Sequence, residues 1–358
     1  MDEQSVARIK EQAEKLKVAV ASISGEVKIL ITAIDFDAIA SAMLFRRILR
    51  RWLTTEKVGV YFAGSDDTPQ IRTGIRTLGL GGVLKSIADE RAEDLGPVIL
   101  VDSSRHHDDR AGKRFTPVAA IDHHPDAELP EGAFLWYDGV GACTTILSEL
   151  YRVLELPTPD DTEWQRMATL AAAGIAIDTL QFTRGGWTRR DLEAWEWFMR
   201  YANPSWYQDV MNFNLPLRFS ELTAQANDIH RWLVRDTLLV VQVDMVREEE
   251  LDFLSMIADQ LVRLENFGTI VIWAPVVGIG IAGKVRSDKQ TEDLNGLIAR
   301  ISSSGGSRSE EGDAVAAGGF VLRLPSVALP VVGAPETIAW FSVCISRALD
   351  LAPFRNGK

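Results

Sequence analysis

Short, nearly all-apolar runs alternate along this chain with longer segments of helical spacing, and few architectures accommodate that order. The runs are VKILITAI (27–34), KVGVYFAG (57–64), PVILV (97–101), PVAAI (117–121) and AFLWY (133–137). A strand with one wet face alternates polar and apolar residues, whereas a run that is apolar throughout is buried on both faces. Helical spacing separates the runs: Val6, Ile9, Ala13, Leu16 and Val20 at the start, then 38–52, and later 144–154 and 161–176. The expectation is an α/β fold, with a mostly parallel sheet flanked by helices.

A length of 358 residues favours two domains. Strand signals return in TLLVVQVDMV (237–246), GTIVIWAPVVGIGIAGKVRS (268–287) and GGFVLRL (318–324), with helical segments at Asp252–Leu264 and Glu292–Ile301. This set reads as a smaller C-terminal α/β domain, and a cleft between the two domains is expected. The boundaries are 1–186 for the first domain, 187–216 for a Trp-rich helical connector and 217–358 for the second. Trp195 and Trp197 read as packing residues there. The Gly/Ser-rich stretch SSSGGSRSEEGDAVAAGG (302–319) reads as a loop between a helix and a strand.

A net charge of −12 argues against coating long duplex DNA, which takes many Lys and Arg contacts to phosphate. No apolar run is long enough to span a bilayer, the start lacks the layout of a secretory signal, and a cytoplasmic protein is expected. The two cysteines, Cys143 and Cys344, lie in apolar stretches and read as packed thiols.

Three strand-like runs end on acidic residues. VKILITAI leads to Asp35 and Asp37, PVILV to Asp102, and PVAAI to Asp122, His123 and His124. One Asp after a strand is ordinarily a turn or helix cap, and Asp35 alone would be read so. In an open parallel sheet, however, the C-terminal strand ends face one crevice. Carboxylates gathered there raise one another's pKa unless cations neutralise them. Carboxylates with imidazole suit Mn²⁺ or Mg²⁺, and a pair of such ions is a recurring device for attacking phosphate esters. The second pair, His106 and His107, sits in a charged loop and reads as solvent-exposed. His230 reads as structural.

These residues resemble the DHH phosphoesterases, whose name is the triplet Asp122-His123-His124. DFDAIASA (35–42) resembles the first motif, VDSSR (101–105) the second, AAIDHH (119–124) the third and GIAIDTLQF (174–182) the fourth. The tail VRS…AAGGF resembles the DHH-associated C-terminal domain of the nanoRNase and phosphoadenosine phosphatase branches. The resemblance implies a metal-dependent phosphoesterase that uses a metal-held hydroxide. Asp35, Asp37, Asp102, His123 and Asp178 would be the metal ligands, with Asp102 bridging. Asp122 would orient a histidine, and His124 would face the scissile phosphate. Arg286, Gly305, Gly306 and Ser307 would hold the far end of the substrate.

The implied cofactor is Mn²⁺ (or Mg²⁺), two ions, or one if Ile31 costs a ligand, because the nanoRNase-like branch carries His at that position. Phe36 stands where the family has Gly between the two Asp, and acidic residues interrupt the glycine loop. The implied partner is a short single-stranded oligonucleotide or small nucleotide, with no membrane and no long duplex; a homodimer is left open. Two alternatives are a catalytically weakened nucleotide-binding relative and a polyphosphate or pyrophosphate hydrolase.

Overall fold

A computed structural model describes residues 1–53, 57–64, 66, 68–105, 113–125, 127–183, 186–287, 298, 301, 317–323, 339, 342–343 and 345. The chain divides into two compact units, Met1–Asn214 and Leu215–Lys358.

The first unit is built on six parallel strands: β1 (Val27–Ile31), β2 (Val58–Phe62), β3 (Leu84–Ser86), β4 (Asp94–Val101), β5 (Arg114–Asp122) and β6 (Phe134–Tyr137). Their order across the sheet is β3-β2-β1-β4-β5-β6. The chain therefore builds outward from β1, returns, and continues on its other side. That reversal opens a crevice at the carboxyl ends of β1 and β4, where open α/β sheets bind ligands. The strands are apolar on both faces because both faces are covered. Ile29 and Ile31 point into one core with Phe45 and Ile48, while Leu30, Val98 and Leu100 pack in a second core with Tyr61 and Ile87.

Among the described residues, seven α-helices accompany this sheet: α1 (Glu3–Ala21), α2 (Phe36–Leu53), α3 (Pro69–Leu78), α4 (Cys143–Val153), α5 (Thr162–Asp178), α6 (Arg189–Met199) and α7 (Pro204–Met211). The apolar stripe of α1 is the expected one, with Ile9, Ala13, Leu16 and Val20 buried. Asp2 caps it, accepting the Ser5 N–H at 2.8 Å.

The structure differs from the sequence reading in several places. The first strand stops at Ile31 rather than Ile34, since α2 begins at Phe36 and the turn before it needs those residues. Strand β3 and helix α3 are absent from the sequence reading, although Thr68 as N-cap, Pro69 after it, apolar Ile71, Ile75 and Leu78, and Gly79 at the end mark α3. The segment read as a connector instead carries α6 and α7, which pack on α5 as part of the first unit. Aromatic packing accounts for this. Trp197 lies edge-on to buried Trp164 at 5.9 Å and near Tyr151 and Tyr201. Trp195 packs against the same core and donates its ring N–H to the Tyr207 hydroxyl at 3.3 Å.

In the second unit, a five-stranded sheet has the order β11-β10-β9-β8-β7, with β7 (Trp232–Arg235), β8 (Leu238–Gln242), β9 (Thr269–Val276), β10 (Gly280–Ser287) and β11 (Ala317–Arg323). Only β8 and β9 pair in parallel. Helices α8 (Leu217–Ala226) and α9 (Leu251–Leu261) pack on this sheet through Leu222, Phe253, Leu254 and Ile257. Among the described residues no helix is long and apolar enough to cross a membrane.

Candidate metal centre

Each acidic side chain at the crevice is placed by the end of a secondary-structure element. Asp35 stands just before α2 and caps it: one carboxylate oxygen accepts the Ala38 N–H at 2.8 Å, and the Asp35 carbonyl accepts the Ile39 N–H. The capping role expected of a lone Asp is thus real. Asp37, in the first turn of α2, is buried and reaches across to the start of α4, where it accepts the N–H groups of Cys143 (2.6 Å) and Thr144 (2.9 Å). A carboxylate at a helix N-terminus satisfies orphan donors and meets the positive end of the helix dipole.

Asp102 directly follows β4 with φ of +59°. This left-handed turn is tolerable for Asp and leaves the strand axis abruptly. Its N–H still donates to the Ile121 carbonyl at 2.9 Å, which keeps it tied to β5. Asp178 is the last residue of α5. A negative charge there opposes the helix dipole, an arrangement that local stability does not explain. Three left-handed residues follow shortly, Leu180, Gln181 and Phe182. They fold the chain back so that Gln181 donates to the Ala176 carbonyl at 2.6 Å.

The two histidines have opposite settings. His123 is buried, and its Nδ1 lies 3.0 Å from the carbonyl oxygen of Val140. A carbonyl only accepts, so Nδ1 carries the hydrogen. Nε2 then faces Asp102 Oδ1 and Asp178 Oδ2, each at 3.4 Å. This is the second-partner arrangement that fixes a metal-binding imidazole, with one nitrogen held by the protein and the other free for a cation. The His124 ring is partly open to solvent, and its Nδ1 bonds Asp122 Oδ1 at 2.7 Å. Asp122 also accepts the His124 N–H at 3.1 Å. The two rings lie 4.2 Å apart.

The charges are mutually frustrated. Burial, followed by the nearby charge of Asp37, pushes the Asp102 carboxyl well above its ordinary value. Burial and the charges of Asp178 and Asp37 push Asp35 up to about 7, although its exposed outer surface screens part of this effect. Burial disfavours a charged His123, yet its contact with Asp102 and the charge of Asp178 raise it well above its usual value. His124 is raised to about 9: burial works against it, and the bond to Asp122 outweighs that. Burial would raise Asp122, but the same bond holds it below the usual carboxylate range.

Asp102 Oδ1 is buried and accepts no hydrogen bond. An orphaned carboxylate oxygen opposite an imidazole nitrogen is a donor set suited to a hard divalent cation. Two groups bring their ligand atoms within 4.8 Å of one another: Asp37, His123 and Asp178, and Asp102, His123 and His124. Of the predicted ligands, Asp37, Asp102, His123 and Asp178 therefore converge. Asp35 joins neither group and stands beside them, electrostatically felt by Asp102.

The remaining predicted positions lie in the second unit, in the core of the first, or outside the described residues. Arg286, on β10 of the second unit, is ion-paired with Asp259 at 2.5 Å. Gly305, Gly306 and Ser307, and the pair His106 and His107, lie outside the described residues. His230 is exposed. Ile31 is fully buried in the core, so the position where the nanoRNase-like branch has His carries a packing residue here. The Phe36 ring is also in the core, against Gly74 of α3, and does not narrow the site.

Sequence reasoning missed the backbone contributors: the Val140 carbonyl and the N–H groups of Cys143 and Thr144. Backbone groups carry no residue signature. It also passed over Asp191, although TRRD (188–191) has the spacing of a helix capping box.

No protein-family model matches the chain, and no curated protein matches it. Its fold is that of a solved exopolyphosphatase-related protein from Bacteroides fragilis: TM-score 0.65 at 12% identity, covering 94% of this chain and 96% of that one. A looser likeness, TM-score 0.44 at 16% identity, is to a Methanococcus jannaschii protein assigned to the family II inorganic pyrophosphatases, covering 91% of this chain and 99% of that one.

Proposed function

We propose that the chain is a metal-dependent phosphohydrolase. The observation that carries this reading is the buried Asp102 Oδ1, which accepts no hydrogen bond, facing His123 Nε2 at 3.4 Å. Asp37, Asp102, His123 and Asp178 would hold divalent cations, Mn²⁺ or Mg²⁺, with Asp35 beside them. When bound, such ions supply Lewis acidity and lower the pKa of water.

The remaining work falls to the chain's own groups. Asp122 takes the Nδ1 proton of His124 as a hydrogen bond and favours the imidazolium. The Nε2–H of that partly exposed ring is then free to stabilise negative charge on a phosphoryl oxygen, or to give its proton to the departing one. The Val140 carbonyl holds His123 in the tautomer that leaves Nε2 open.

For substrate, the short-oligonucleotide or small-nucleotide reading rests on the motif resemblance and on the acidic net charge. A second reading, hydrolysis of phosphoanhydrides, is supported by the name of the Bacteroides fragilis neighbour. Phosphate release should be measured in Mn²⁺ from a short RNA oligomer, phosphoadenosine phosphate, pyrophosphate and tripolyphosphate, beside the Asp102→Asn variant. Turnover lost in the variant supports the phosphohydrolase and ranks the substrates. Absence of turnover on all four, with Mn²⁺ bound, would overturn it in favour of a binding protein.

A further inference from the structure

Segment 138–145 touches two of the four converging ligands, His123 and Asp37. Val140 accepts the His123 Nδ1–H, and Cys143 and Thr144 donate to Asp37. Gly141 lies so close to the end of α5 that a Cβ there would stand 2.9 Å from Thr179, the residue after Asp178, and 3.0 Å from the Trp187 backbone. The placement of His123 and Asp37 thus depends on this segment, which also packs against the end of α5.

The segment itself is held from one place, the first turn of α6. Asp191 is fully buried and accepts four hydrogen bonds: from the Gly141 N–H (2.9 Å), the Thr145 hydroxyl (2.6 Å), the Thr188 N–H (2.6 Å) and the Thr188 hydroxyl (2.8 Å). Its neighbour Arg190 grips the start of the same stretch and the helix α4 into which it runs. It donates two hydrogen bonds to Asp138 (2.8 Å each) and two to Glu149 (2.7 and 2.6 Å). A helix cap needs only the Thr188 bonds. Those to Gly141 and Thr145 reach some 50 residues back along the chain, to the segment that shapes the ligands.

We propose that Asp191, seconded by Arg190, is a positioning residue for the metal centre, setting His123 and Asp37 through the backbone of residues 138–145. The proposal rests on the metal-centre reading. It gives a role at the centre to a carboxylate that hydrogen-bonds none of the ligand side chains. Because partners of this kind fix ligand orientation, their loss lowers metal affinity by about 10–100-fold.

The test compares wild type with Asp191→Asn, Thr145→Val and Thr145→Ser. Asn presents an amide where donors converge, Val deletes one of the two long-range bonds, and Ser restores it. Mn²⁺ affinity is measured by titration calorimetry, thermal midpoint in chelator, and the His123 Nδ1–H resonance by NMR on the metal-free protein. The expected result is Mn²⁺ affinity lower by about 10-fold or more and a shifted His123 resonance in Asp191→Asn and Thr145→Val, with Thr145→Ser near wild type.

A lowered midpoint with unchanged Mn²⁺ affinity and an unmoved His123 resonance would make Asp191 a merely structural residue and overturn the proposal. If Asp191→Asn does not fold, the Thr145 pair decides by the same two readouts. If wild type itself takes up no Mn²⁺, the metal reading fails, and the metal-free His123 resonance still judges the clamp.

Discussion

The carboxylate of Asp37 accepts the backbone N–H of Cys143 at 2.6 Å, so the helix after β1 and the helix after β6 are tied by one side chain. Thr144 adds a second bond to it at 2.9 Å and a third from its hydroxyl to the Asp37 carbonyl. A residue expected only as a metal ligand is therefore also the N-terminal cap of α4. Asp37→Ala would leave two buried N–H groups unpaired, at about 1–3 kcal/mol each. Urea unfolding in chelator should show a loss of about 2–6 kcal/mol for the pair. A variant as stable as wild type would mean that Asp37 does not cap α4.

Asp102 should behave in the opposite way. It makes no hydrogen bond through Oδ1, and its charge is opposed by burial and by Asp37. Asp102→Asn removes that charge with little change in shape. The metal-free protein should melt higher than wild type, while the rise in melting temperature on adding Mn²⁺, expected for a ligand that binds only the folded state, should vanish. Thermal scans with Mn²⁺ and with chelator check both halves. A variant less stable in chelator would show that the carboxylate is structurally paired.

Much of this was legible in the sequence for a simple reason. Strands apolar on both faces announce a covered parallel sheet, and Asp35, Asp102 and Asp122 stand where such strands end. The strand order was not legible, because the weakest strand, Leu84–Ser86, has only three residues and a Lys in its middle. Nor was the fate of Phe36. Its neighbours Asp35 and Asp37 are polar and site-directed, and only the tertiary packing of α3 shows that the ring turns inward. The connector was misplaced because Trp and charge together look like a junction. In fact Trp197 and Phe198 extend the core around Trp164. Ile31 was read as a missing ligand, and the structure shows what it does instead: it fills the core beneath the site.

Phe36 and Gly74 supply a third prediction. A Cβ on Gly74 would stand 2.2 Å from the Phe36 ring, deep inside the contact limit. Because Phe36 lies between Asp35 and Asp37, the ring cannot move freely without disturbing the start of α2. Gly74→Ala should therefore destabilise the first unit by about 1–3 kcal/mol, the usual cost of overpacking. Pairing it with Phe36→Leu should recover part of the loss. Denaturation of the two single variants and the double variant checks this, and strict additivity would rule out the contact.

The clamp at Asp138 predicts how the fold responds to acid. Burial opposes ionisation of this carboxyl, but hydrogen bonds from Arg190 and then Arg8 hold it below its ordinary value of 3.8. The side chain is only 12% exposed, so solvent screens these bonds little. A carboxyl depressed by folding binds fewer protons when folded than when unfolded. Its contribution is complete above the unfolded value, and it is lost as pH falls through the folded one. Asp138→Asn should therefore cost stability at pH 7, about 1–3 kcal/mol for a charged hydrogen bond. The gap to wild type should close once pH has fallen below the folded value, where both proteins are neutral at this position. Denaturant midpoints across that range give the answer. A gap that persists unchanged in acid would mean that Arg190 is held by shape and by Glu149, and that the Asp138 charge is idle.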